Sequence, residues 1–176
     1  MTRLFRVARP APTSWNVSKT LLQTSVFWGT LLWLVPSGIF RLEAAWQLPR
    51  FDLPSRTAIG WSVLVCASLL GLWSGWTMAT RGLGTPFPLD TARELVTRGP
   101  YRWVRNPMAV TGLTQGLGVA LILGSWGVVV YVLVGGVLWH ALVRPVEERD
   151  LLERFGESYA SYRRRVGLWI PRRRST

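Results

Sequence analysis

The sequence predicts an all-α integral membrane protein with about four transmembrane helices, the last two forming a C-terminal helical hairpin followed by an amphipathic tail helix. Three observations carry this. Hydrophobic residues make up 49% of the 176, and they fall in long blocks rather than at the scattered periods of a soluble domain. Short Arg-rich segments separate the blocks, and many of the 11 tryptophans stand near block ends, as interfacial anchors do.

The leader, Met1 to Lys19, is basic. No convincing small-residue cleavage site follows it, so the next apolar stretch reads as a retained first span rather than the core of a signal peptide. That stretch, Leu21 to Phe40, is about 20 residues long, which at about 1.5 Å each covers roughly the 30 Å of a hydrocarbon core. Arg41 to Arg56 carries charges with Pro49 and Pro54 and reads as a connector. The second span runs from about Thr57 to Thr80. Cys66, the single cysteine, excludes a disulfide within the chain and a Cys-based zinc site and reads as a small core residue. Gly71 and Gly75, like Gly112 and Gly116 further on, stand four apart, a spacing that lets helix backbones pack closely.

Arg81 to Arg105 is broken by Gly82, Gly84, Pro86, Pro88, Gly99 and Pro100. A loop of this length in a compact protein tends to be functional. Gly82-Leu83-Gly84 follows a helix but opens no βαβ unit, so the dinucleotide-fold reading fails. Pro107 suits the first turn of a helix, and Met108 to Leu123 is a short third span. After a tight turn at Gly124 and Ser125, Trp126 to Val143 returns. Beyond it, Leu151, Leu152, Phe155, Tyr159 and Tyr162 mark one face of the tail helix. Pro145 disturbs the start of that segment; Gly167, Pro171 and the run Arg172 to Arg174 end it.

A net charge of +12 would ordinarily raise nucleic-acid binding. Subtracting the spans leaves no recognition fold, so no nucleic-acid partner is expected. The charge sits instead at segment ends: net +4 in the leader, +1 in the first connector, +3 in the long loop and +4 in the tail. The positive-inside rule then puts the termini and the long loop in the cytoplasm. Trp15, Trp76, Trp103, Trp139 and Trp169 fall near that side, and Trp46, Trp61 and Trp126 near the other. The lipid bilayer, with its anionic headgroups, is the first expected partner.

Two clusters are candidates for chemistry. Arg105-Asn106-Pro107 stands where a polar loop enters a span, and a helix N-terminus offers unpaired N–H groups to an anion; the same residues equally read as a helix cap with a topology arginine. Glu147 and Glu148 stand at the end of a span, where acids are disfavoured unless they face protein or water. Arg144, four residues before Glu148, and His140, seven before Glu147, fall approximately on one helical face with them. The acids also read as a solvated helix start, favoured by its dipole. With one histidine in the chain, no metal site is expected.

Taken together, Gly82-Leu83-Gly84-Thr85-Pro86, Leu95-Val96-Thr97-Arg98-Gly99-Pro100-Tyr101, Arg105-Asn106-Pro107-Met108, Arg144 with Glu147-Glu148, and Phe155-Gly156 through Tyr159 and Tyr162 resemble one superfamily in order and spacing. It contains the isoprenylcysteine carboxyl methyltransferases and the phospholipid N-methyltransferases. The resemblance spans Arg81 to Pro171. It implies a helical membrane protein whose C-terminal half encloses S-adenosylmethionine at the cytoplasmic face, with a lipophilic small-molecule or lipid substrate arriving from the bilayer. It implies cofactor binding by Val96, Gly99, Tyr101, Asn106, Pro107, Glu147 and Glu148. Arg144 is the candidate catalytic residue on its chemistry, since a guanidinium can orient an anionic acceptor or else pair with the glutamates. On this reading, within one structural domain, residues 1–80 form the leader and two N-terminal helices, and residues 81–176 the cofactor-binding loop, hairpin and tail. Two positions depart from the family pattern: Ala109 stands where a tyrosine is frequent, and Asn106 where the carboxyl methyltransferase branch has histidine. Rival readings are a sterol-reductase-like enzyme using NADPH and a non-catalytic membrane protein that keeps the fold. The Glu pair and the Gly-Thr-Pro run favour the methyltransferases.

Overall fold

The computed structural model describes residues 7–86 and 90–172; Arg3, Arg6, Pro88 and the end of the arginine run lie outside the described residues. The first helix among the described residues is α1 (Thr13–Ala45), which passes through a π-helical stretch at Gly29–Leu34. Next come α2 (Arg56–Arg81), a loop with a 3-10 turn at Gly99–Arg102, and α3 (Pro107–Leu123). The last run consists of α4 (Trp126–Leu138), a second π-helical stretch at Trp139–Val143, and α5 (Arg144–Arg165). No strand occurs among the described residues, only three isolated bridges. Three runs, Thr13–Ala45, Arg56–Arg81 and Trp126–Arg165, are long and apolar enough to cross a membrane, and Pro107–Leu123 is a shorter apolar helix.

Local chemistry explains the boundaries of α3. Asn106 caps it, its side-chain oxygen accepting from the Ala109 N–H at 3.0 Å, and Pro107 occupies the first position, where a missing N–H costs nothing. Gly124, at φ +66°, ends it in the left-handed conformation that glycine adopts without a Cβ penalty. Arg56 adds a cation at the same end, donating to the carbonyls of Leu121 and Ile122, which favours the negative pole of the helix dipole. The following helix is capped by Ser125, whose hydroxyl accepts from Val128 N–H at 2.9 Å. Glu43 of α1 accepts from Gly127 N–H at 2.6 Å, tying α1 to the start of α4.

The short third helix is the centre of the bundle. A Cβ built on Gly60 of α2 would lie 2.8 Å from the Gly118 carbonyl oxygen of α3, so these backbones touch at a glycine pair. One turn away, Gln115 donates to Ser68 at 2.9 Å. The buried face of α2 is Ala67, Gly71, Ser74 and Gly75, and Cys66 falls beside that face. It is exposed, which corrects its reading as a core residue. Gly71 meets Trp28 and Thr111, Gly75 meets Thr20, and Gly116 meets Val132, but Gly112 has nothing within 4 Å of a Cβ position. Packing therefore accounts for three of those four glycines. The outward faces carry Leu22, Trp33, Leu69, Leu133 and Val137, all exposed, as lipid contact requires.

Contacts between connectors define the two ends of the bundle. At one, Ala8 N–H donates to Thr91 (3.0 Å), Lys19 pairs with Asp90 (2.7 Å) and Arg105 N–H donates to Gly167 (2.9 Å). Leader, long loop and C-terminal segment thus meet. At the other, Phe51 N–H donates to Gly124 at 3.1 Å and the Phe51 ring packs edge-on against Trp126. Pro145 does not interrupt the last run, because it follows directly on the π stretch, where the i→i−4 ladder has already changed register. The break in α5 falls instead at Gly156, at φ 52°.

Candidate active site

The end of the bundle where leader, loop and tail meet holds a cavity of about 520 Å³. Its polar lining comes from the loop, the start of α3 and α5: Thr91, Glu94, Tyr101, Arg105, Asn106, Glu147, Asp150 and Arg154, beside Val96, Leu151 and Phe155. Apolar residues of α1, of α3, of α4 and of the π stretch that follows it, Phe27, Trp28, Leu31, Leu113, Tyr131, Val132 and Trp139, line an apolar limb of the same cavity. Both π stretches contribute to these walls, through Leu31 and Leu32 on one and Trp139 and Val143 on the other.

The long loop is folded by its glycines. Gly82 carbonyl accepts from Arg93 N–H (2.7 Å) and Glu94 N–H (3.2 Å), and a Cβ there would lie 2.8 Å from the Ala92 Cβ. The loop doubles back tightly and presents Thr85, Pro86, Ala92, Leu95 and Val96 to the cavity. Arg154 of α5 closes the outside, pairing with Asp150 at 3.0 Å and donating to Thr91 Oγ1 at 3.0 Å and to the Ala92 carbonyl.

Gly99, at φ +58°, packs against Thr77 of α2 and turns the chain so that Tyr101 goes inward. The Tyr101 carbonyl accepts from the Tyr162 hydroxyl at 2.6 Å. The ring is 4% exposed, and its own hydroxyl is buried without a hydrogen-bond partner. Burial, reinforced by Tyr162 and Glu147, pushes the phenol well above its ordinary range, so it stays protonated and is available as a donor.

Behind this wall lies an ion-pair network. Glu148 Oε1 takes Arg105 Nη1 at 2.6 Å and Arg144 Nη2 at 2.9 Å. Arg144, 3% exposed, also reaches Glu147 at 3.0 Å and donates to the Tyr159 hydroxyl at 3.1 Å. Each nitrogen of that guanidinium is engaged by the protein. Arg105 is different, for its Nε is buried without a partner. The apolar part of the last membrane helix ends at Val143, and Glu147 stands beyond it. Burial holds its carboxyl above the usual range, a shift that the neighbouring Arg144 opposes without reversing.

The structure thus brings Val96, Tyr101, Asn106 and Glu147 to the cavity wall. It places Gly99, Pro107, Arg144 and Glu148 behind that wall, where they shape a turn, start a helix or hold the network. Arg105 and Arg154 are the guanidiniums on the lining. Asp150 and Arg154 carry an i,i+4 signal in the sequence. Phe27, Trp28 and Leu31 carry none, since any apolar helix presents such residues. His140, which made no metal site, accepts from Trp169 Nε1 at 3.2 Å, and no metal-binding group of His, Cys, Asp or Glu is found among the described residues.

Residues 55–158 match the phospholipid methyltransferase family. Protein-S-isoprenylcysteine O-methyltransferase of Schizosaccharomyces pombe is 38% identical over 79 residues, covering 44% of this chain and 33% of that protein. The solved structure of a eukaryotic intramembrane Ras methyltransferase, isoprenylcysteine carboxyl methyltransferase, superposes with a TM-score of 0.61 at 22% identity, covering 81% of this chain and 51% of that one. The chain therefore spans about a third of the curated relative and about half of the solved structure. That superposition shows a shared fold of membrane helices. The family match covers more than half of the sequence, and it includes α2, the loop, α3, α4 and the start of α5; this chain belongs to the phospholipid methyltransferase family.

Proposed function

We propose that the protein transfers a methyl group from S-adenosylmethionine to a lipophilic or amphipathic acceptor at the cytoplasmic face of the membrane. The observation that carries the reading is a cavity whose lining joins charged, hydrogen-bonding residues to apolar ones. A charged, water-soluble cofactor and a lipid-soluble acceptor need those two environments side by side.

The residues present fit the cofactor. Glu147 offers a carboxylate to its ammonium or ribose hydroxyls by a charge-assisted hydrogen bond. Val96, Leu95, Leu151 and Phe155 supply apolar surface for a flat base. Asn106 and the first turn of α3 present polar groups at a helix N-terminus. When bound, the cofactor supplies a methyl carbon activated by its sulfonium, so neither a metal nor a covalent intermediate on the protein is required for displacement.

What the chain must add is position and dryness. Tyr101 and Arg105 line the chamber, each with a buried unpaired donor in its side chain, and are the groups suited to orient an acceptor head group. Arg144 and Glu148 hold Arg105 and Tyr159 in place, so Arg144 acts here as a positioning residue. Gly99 and Pro107 set the backbone that carries Tyr101 and Asn106. The loop, clasped by Arg154 and Lys19, covers the chamber from the aqueous side.

The test uses purified protein in nanodiscs. A ligand that binds only the folded state raises its stability with the logarithm of concentration. S-adenosylmethionine is expected to raise the melting temperature, and lipid extract incubated with isotope-labelled cofactor is expected to yield a labelled methylated lipid by mass spectrometry. Stabilisation by NADPH without any by S-adenosylmethionine would point to a reductase and overturn the assignment. Stabilisation by neither would leave a non-catalytic membrane protein.

A further inference from the structure

We infer that Gly112 of α3 and Gly135 of α4 determine which acceptor the protein takes, by keeping the apolar limb of the cavity wide. The inference rests on the methyl-transfer reading and adds to it the residues that set the acceptor's shape.

The glycines of the hairpin divide into two kinds. A Cβ on Gly116 would lie 2.6 Å from Val132 Cγ2, and one on Gly136 3.2 Å from Leu113 Cδ1. Those two let helices approach. At Gly112 and Gly135 an added Cβ would meet nothing within 4 Å, and both residues line the cavity. Glycine is unfavourable inside a helix, and at these two positions no close packing offsets that penalty. What they contribute is space.

A second observation bears on the kind of ligand that suits that space. The Tyr101 hydroxyl and the Arg105 Nε are buried, without partners, in residues that line the mouth of the limb. Both are donors, so they suit a head group that accepts hydrogen bonds or carries negative charge. From Asn106 to Gly116, where α3 closes against Val132, the wall extends about 15 Å at the helical rise per residue. Trp28, Tyr131 and Trp139 flank this length. The matching acceptor is an amphipath with an anionic or acceptor head and a hydrophobic body of about that length, held at mid-length by the gap the two glycines leave.

Cis-parinarate, a carboxylate with a long apolar body whose absorbance overlaps tryptophan emission, serves as the probe. In nanodiscs the wild-type protein is expected to show saturable energy transfer above the linear partition into lipid. G112L and G135L are expected to weaken that binding by about tenfold or more, and G112A by less. Affinity for S-adenosylmethionine, measured separately by calorimetry, and the melting temperature are expected to be unchanged or raised in all three. Wild-type binding retained in G112L and G135L, or no saturable binding in the wild type, overturns the inference. A lowered melting temperature in G112A also overturns it, by showing that Gly112 is a packing residue. If S-adenosylmethionine fails to bind the wild type, it is the methyl-transfer reading that falls.

Discussion

Replacing Glu148 by glutamine separates a clamp from a ligand-binding carboxylate. Glu148 Oε1 lies 2.6 Å from Arg105 Nη1 and 2.9 Å from Arg144 Nη2, with guanidinium side chains only 9% and 4% exposed. Breaking a buried ion pair by removing one partner costs about 3–5 kcal/mol. Glutamine keeps an acceptor oxygen worth about 1 kcal/mol, and the carboxylate is itself 16% exposed, so water screens part of the loss. The expected net cost is about 2–3 kcal/mol. For a chain of this length that lowers the melting temperature by roughly 4–12 °C. Glu147 has one ion pair, to Arg144 at 3.0 Å, and is 29% exposed; E147Q should cost under about 1 kcal/mol of stability. Its effect should appear instead in S-adenosylmethionine affinity, as a loss of about ten- to a hundredfold. Melting curves and calorimetry on both variants in detergent decide the matter. If E148Q melted like the wild type while losing cofactor affinity, Glu148 would be acting on the ligand, and the clamp would be the wrong account of its contacts.

Further predictions follow from the same contacts. Because the carboxyl of Glu147 is held above its ordinary range by burial, the stability it contributes is complete below the unfolded carboxylate range and fades as pH rises through the folded value; the melting temperature of the ligand-free wild type relative to E147Q should therefore rise on acidification. Cofactor affinity should run the other way, falling as acid protonates Glu147, and E147Q should flatten that profile in a calorimetric pH series. Substituting Gly60 by alanine puts a methyl 2.8 Å from the Gly118 carbonyl oxygen and from Ile122 Cγ1, so overpacking should cost about 1–3 kcal/mol; an unchanged melting temperature would mean that α2 and α3 separate easily. Single cysteines at Thr2, Arg93 and Ser175 in a Cys66→Ala background should resist an impermeant thiol reagent in intact cells, and labelling of any one would refute the cytoplasmic placement of termini and loop.

The long apolar blocks between Arg-rich segments were enough to determine a bundle of membrane helices, because hydropathy over about 20 residues reports burial in lipid without reference to tertiary contacts. The boundaries of α3 were legible for a similar reason, since Asn106, Pro107 and Gly124 act within one turn of where they stand. The ordered motifs from Gly82 to Glu148 pointed to the right family. They did not determine which face of each motif meets the cavity. Glu147 and Glu148 are adjacent and chemically alike, yet one lines the chamber and the other holds three guanidiniums, those of Arg105, Arg144 and Arg163. Arg144 and Arg105 were likewise indistinguishable as charges, and only the fold engaged every nitrogen of the first while leaving Nε of the second unpaired. The same holds for Gly112 and Gly116, identical in spacing logic, of which one packs and the other opens a space. Local pattern reports what a residue is and which segment carries it. Which neighbour it meets depends on the rotation of one helix against another, and that rotation is decided by contacts such as Gly60 on Gly118 and Gly116 on Val132, between residues far apart in the chain.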